Sequence, residues 1–153
     1  MRRSFPILAA VAGLLLLASL VSGLVASPRD HARLGWIAVA TTLLVHASVF
    51  VHLRGTGRWV EATAGRLGLP DWVGVQAEKN RRKAFVYEGW GSALVVLAGW
   101  SGGARWWHLV LSSSSLSFQL GAFVGEFVII AAQARLLRDV GLRAGSARLA
   151  SDP

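Results

Sequence analysis

The sequence has no cysteine, only four prolines, a single methionine and a single tyrosine, and over long stretches it has no charge. Without thiols there are no disulfides, thiolate metal sites or cysteine nucleophiles, so any chemistry must come from histidine, carboxylate, serine or a bound cofactor. The lack of charge excludes more. Segments 4–28, 34–53, 84–104 and 106–134 hold 95 of the 153 residues but only two charged side chains, Glu88 and Glu126, whereas the other 58 residues hold 22. A soluble domain has about 25% charged residues, spread so that every element shows water one face. Apolar runs of about 20 residues instead match a hydrocarbon core ~30 Å thick, where helices satisfy their own backbone. The expected fold is all-α: an integral membrane four-helix bundle forming a single membrane domain over 1–153. Its helices are expected at about 5–26, 34–53, 84–101 and 107–134, with a cytoplasmic helical hairpin at 54–83 and a basic tail at 135–153.

What charge there is lies unevenly. Thirteen of the sixteen Lys and Arg fall at the N-terminus (Arg2, Arg3), in 54–83 (Arg54, Arg58, Arg66, Lys79, Arg81, Arg82, Lys83) and in the tail (Arg135, Arg138, Arg143, Arg148). Basic loops stay on the cytoplasmic side, so both termini are expected inside and the connections holding Arg29, Arg33 and Arg105 outside. The net charge of +8 then reads as topology and attraction to anionic lipid, and no nucleic-acid partner is expected. The first apolar stretch, after a basic start, also has the outline of a signal peptide; at about 20 residues it exceeds the usual 7–15 of such a region and is read as a retained span. Trp36, Trp100, Trp106 and Trp107 mark the outer boundary, as interfacial tryptophan does.

In 54–83, GRWVEATAGRLG reads as a short helix closed by Gly68 and Pro70, and Asp71 as the N-cap of a second helix running into the third span. The apolar side of this hairpin and its basic residues Arg54, Arg58, Lys79, Arg81, Arg82 and Lys83 are expected to dock lipid headgroups or a partner protein. Gly-Thr-Gly at 55–57 lacks the spacing of a phosphate loop. No Ser-His-Asp, zincin or kinase pattern occurs, and no catalytic residue is assigned.

The candidate site lies within the spans. Ser112, Gln119, Glu126 and Gln133 recur every seven residues, nearly two helical turns, with Ser115 beside them, so they form one polar stripe along the fourth helix. On the third, Ala84, Glu88, Gly91, Ser92, Val95 and Gly99 make a small and polar face. Rise along the helix puts Glu126 ~13 Å and His46 ~12 Å from the cytoplasmic charge boundary, in one layer with Glu88 nearby. The polar cluster is therefore His46, Glu88, Gln119 and Glu126. Helix packing through hydrogen bonds is its simplest use. An ionisable group at depth is also a candidate for proton or ion movement, and imidazole with carboxylate suits a metal ion, at His46 and Glu126. Haem would need an axial histidine; His31 and His108 share the outer level, but His31 falls in the first loop and both are expected to be exposed.

The stretch HASVFVHLRGTGRWVEA, then GLP and EKNRRKAFVY, over residues 46 to about 87, resembles a set of small bacterial membrane proteins of uncharacterised function; AAQARLLRDV near the end is loosely similar. The resemblance implies a bacterial cytoplasmic (inner) membrane protein and no activity. The expected role is that of a non-enzymatic accessory or structural subunit of a membrane complex, with lipid, other membrane proteins or a second copy as partners and no cofactor. The alternatives are a haem- or metal-binding redox protein, or a proton or ion pathway component, centred on His46 and Glu126.

Overall fold

The computed structural model describes residues 1, 3–101 and 105–149, with the side chains of Arg105, Arg148 and Leu149 outside the description. Arg2, residues 102–104 and the end of the tail, on which the expected orientation and bounds partly rest, also lie outside the described residues. Four helices follow one another: α1 (Phe5–Val25), α2 (Pro28–Arg66), α3 (Trp72–Trp100) and α4 (Arg105–Leu149). There is no strand among the described residues. Three helices are long and apolar enough to cross a membrane: α1, α2, and α4 over Trp106–Ala147. The chain is thus an all-helical membrane protein by length and composition.

Helices α2 and α4 are longer than expected, and each difference has a local cause. Residues 27–33, expected as an outer loop, are mostly the first turns of α2. Ser27 takes the N-cap: its hydroxyl accepts from the Asp30 backbone N–H at 3.2 Å and donates to the Asp30 carboxylate at 2.7 Å, with Pro28 at the first helical position. Those reciprocal bonds and the preset φ of proline start a helix cheaply. At the other end α2 does not stop near residue 53 but continues to Arg66 as one helix of 39 residues. Gly55 and Gly57 each disfavour helix by about 1 kcal/mol relative to alanine, but Gly57 is buried against the bundle, and packing outweighs propensity. Likewise α4 does not stop near residue 134 but continues to Leu149, so much of the basic tail is helix.

The extended parts of α2, α3 and α4 have a core of their own. Val60, Ala64, Val73, Ala77, Leu136 and Val140 pack together there. The main core lies nearer the middle of the bundle, where Phe5 and Ala12 of α1 meet Val45, Val49, Ala84, Phe123 and Ile130. Between α2 and α3 the chain reverses at Gly68, whose φ of 59° is left-handed, while the Leu69 N–H bonds back to the Ala64 carbonyl at 2.9 Å. Asp71 precedes α3 as expected, but its side chain makes no capping bond.

Any residue with a Cβ pays at the Gly68 conformation about 1–2 kcal/mol, and open space around it offers no steric reason for a further cost. The substitution Gly68→Ala should therefore lower stability by about 1 kcal/mol, and Gly65→Ala, in a helical and equally open position, should not. Thermal unfolding of both variants in mild detergent checks the contrast.

Candidate functional site

The polar stripe of α4 faces inward along its length. Ser115, Gln119, Glu126 and Gln133 are at most 1% exposed, and Ser112 lines a cleft nearer the outer end. Each long polar side chain of the stripe reaches another helix. The seven-residue spacing works because α4 drifts only slightly per two turns, so the same face meets α2 and α3 at successive levels.

At the central level, His46 of α2 is held from both sides. Its Nδ1 lies 2.6 Å from Oε1 of Glu126 and its Nε2 2.8 Å from Oε1 of Gln119. The Gln119 amide nitrogen donates to the Gly91 carbonyl of α3 at 2.7 Å. A carbonyl only accepts, so that bond fixes the amide orientation and leaves its oxygen toward the imidazole. His46 Nε2 must then donate. One further proton is shared along the short Nδ1–Oε1 line, giving either an imidazolium–carboxylate pair or its neutral hydrogen-bonded counterpart with the same proton count. Phe123 lies beside the ring at a centroid distance of 5.8 Å and walls the pair off with apolar surface.

Gly91 is required by this approach. A Cβ there would stand 2.7 Å from His46 Nε2 and 3.1 Å from Gln119 Oε1. Glu88, one turn earlier on α3, is 6% exposed and lies on the same buried face of the helix as Gly91. The four cluster residues expected from the sequence, His46, Glu88, Gln119 and Glu126, thus come together in one layer. Among the described residues, Glu88 Oε1, Glu126 Oε2 and Ser115 Oγ are buried without a hydrogen-bond partner.

A second polar level lies toward the α2–α3 turn and includes residues that sequence spacing alone did not single out. Asn80 donates to Gln133 Oε1 at 3.0 Å, Gln133 donates to Thr56 Oγ1 at 3.4 Å, and Gln76 donates to Asn80 Oδ1 at 3.0 Å. Asn80 follows Val73, Ala77 and precedes Ala84 on the buried face of α3, a three-to-four spacing that would have marked it as inward-facing.

Of the six basic residues expected to dock, Arg54, Arg58, Lys79, Arg82 and Lys83 are exposed and Arg81 is half-buried. Arg81 and Arg82 are also paired with Glu78, at 2.5 and 2.7 Å. The hydrogen bond from Arg82, then that from Arg81, holds the Glu78 carboxyl below its ordinary range. As pH falls through that lowered value the pairing is lost and both guanidinium groups are released.

His46 and Glu126 do not suit metal or haem ligation. A ligating nitrogen needs a free lone pair, and both ring nitrogens of His46 are committed, Nε2 as a donor. No group of three or more His, Asp or Glu side chains among the described residues is arranged to hold a metal ion. No family model, curated protein or solved structure matches the chain.

Gly91→Ala should push His46 and Gln119 apart and cost about 1–3 kcal/mol through overpacking. Gly89→Ala, with nothing within 4 Å of the added Cβ, should leave stability unchanged. The two variants compared by thermal unfolding in detergent separate a packed polar layer from a loose one.

Proposed function

We propose that this chain is a multi-pass protein of the bacterial cytoplasmic membrane with four spans and both termini cytoplasmic, acting as an accessory or structural subunit of a membrane complex. The fourth span is α3 over about 84–101. Its outward side chains there, Phe85, Val86, Trp90, Val96 and Leu97, are large and apolar, while Glu88 is buried, the arrangement that lipid rather than water favours. The orientation is supported by the sharing of one end of the bundle: Arg54, Arg58, Lys79, Lys83, Arg135 and Arg138 cluster near the α2–α3 turn and the second core, and Arg29 and Arg33 lie at the opposite end.

The observation that carries the subunit reading is the surface beyond this charge boundary. On the extended three-helix part, Trp59, Trp72, Val75 and Leu142 are 43%, 57%, 65% and 67% exposed, interleaved with the exposed Arg58 and Lys79. Such an apolar and basic surface outside the hydrocarbon region fits headgroups or a protein partner. The two polar levels support the same reading, since His46, Gln119 and Glu126 at the centre and Asn80 and Gln133 toward the α2–α3 turn spend hydrogen bonds on neighbouring helices and lock helix positions. A photo-crosslinker placed at Val75 in intact membranes is expected to capture a discrete protein species, lost when Trp72→Ala and Lys79→Glu are combined. Labelling of lipid alone sinks the subunit reading.

A second reading, a proton or ion pathway through His46 and Glu126, rests on the three unpartnered buried atoms. It makes a separate claim: the protein in proteoliposomes should dissipate an imposed pH gradient, and Glu126→Gln, which keeps shape and a hydrogen bond to His46, should slow this at least about tenfold. Wild-type vesicles as tight as empty ones exclude it.

A further inference from the structure

The outer end of the bundle holds a second histidine pair. His31 stands in the first turn of α2 and His108 in the first turn of α4, and both are half-buried, contrary to the exposed loop position expected for His31. Their Nε2 atoms lie 3.1 Å apart, with ring centroids at 5.3 Å and planes at 84°. The rings are fixed from behind by the two remaining helices. His108 Nδ1 is 3.0 Å from the Ala98 carbonyl of α3, which only accepts, so Nδ1 carries the proton. His31 Nδ1 is 3.0 Å from Ser22 Oγ of α1, and that hydroxyl is itself the donor to the Ser19 carbonyl at 2.8 Å. With the hydroxyl proton on the Ser19 carbonyl, His31 Nδ1 is the donor to Ser22, and this is the tautomer that readies the ring for a cation. Gly23 permits the seat, since a Cβ there would come within 3.2 Å of His31 Cε1.

With both Nδ1 atoms donating, two neutral rings would bring two Nε2 lone pairs face to face. Lone pairs at that separation repel, and a shared cation turns the repulsion into two attractive contacts. Donation of the rear N–H to a carbonyl or hydroxyl is also what orients a metal-ligating histidine and raises its basicity. Two nitrogens 3.1 Å apart, each ~2.0–2.1 Å from one zinc ion, subtend ~100° at the metal, close to a tetrahedral angle. The pair opens on a cleft of about 530 Å³ whose walls include Ser19, Gly35, Ser112 and Ser115. Two positions of a tetrahedron would face that cleft.

We propose that His31 and His108 form a binding site for a divalent transition-metal ion such as Zn²⁺ at the outer end of the bundle, with Ser22 and the Ala98 carbonyl as positioning groups and the cleft supplying the remaining ligands from solvent. The site is separate from the His46 layer and does not depend on the role assigned to the chain.

The test uses full-length protein in mild detergent, purified with a tag free of histidine and titrated with Zn²⁺ and, for its visible spectrum, Co²⁺. Stoichiometric binding is expected, with a nitrogen-ligated Co²⁺ absorption band. His31→Ala and His108→Ala should each abolish it, and His52→Ala should leave it unchanged. Because the first two variants remove core-facing groups, Ser22→Ala is the milder companion: both imidazoles stay, and affinity should fall about tenfold with the unfolding temperature of the metal-free protein little changed. Absence of stoichiometric metal on folded wild-type protein, or binding that survives both histidine variants, overturns the proposal, the former leaving a shared proton as the cation.

Discussion

The bundle depends on one constraint: a polar side chain buried among helices in an apolar medium has to find its partner on another helix. The bond from His46 to Glu126 and the bond from Gln119 to the Gly91 carbonyl answer it at the central level, and the Gln133 contacts with Asn80 and Thr56 answer it toward the α2–α3 turn. Both levels are supplied by one face of α4. A rotation of α4 by a single residue, ~100°, would strand Gln119, Glu126 and Gln133 together, each leaving a group unsatisfied at a cost of about 1–3 kcal/mol or more. Leucine and valine packed in the same places would tolerate that rotation far better. The polar stripe therefore sets register where apolar contacts alone set only proximity.

Much of this was legible from residue spacing. The heptad recurrence of Gln119, Glu126 and Gln133 gave the inward face of α4, and the small residues Ala84, Gly91 and Val95 around Glu88 gave that of α3, because burial of a polar group in lipid leaves a periodic trace. Depth from the charge boundary also brought His46 to the level of Glu126. Helix ends were less legible. Charge ends only the membrane-embedded part of a helix; α2 passes through Arg54 and Arg58 unbroken because Val60 and Ala64 have a second core to enter. The start of α2 carried a readable sign in Ser27, Pro28 and Asp30, whose capping bonds outweigh the polar, loop-like composition around them. Which atom of His46 meets which carboxyl or amide oxygen was not legible, since it follows from the Gly91 carbonyl, a backbone group that side-chain patterns do not report.

The two histidine pairs differ in a way that bears on the fold as well as on chemistry. At His46 every ring proton has an oxygen to receive it, so both ring nitrogens are satisfied within the protein. At His31 and His108 the oxygens lie behind the rings and the nitrogens in front face each other. Helix α1 carries no ionisable group, joins the main core through Phe5, Ala9 and Ala12 near its N-terminal end, and at its other end has Ser22 on His31 as its polar link to the rest. Since Ser22 belongs to α1, His31 to α2, Ala98 to α3 and His108 to α4, a cation bridging the two rings ties the four helices at one point. The outer end is thereby held by the same principle as the centre, with a metal ion in the place that a shared proton takes between His46 and Glu126.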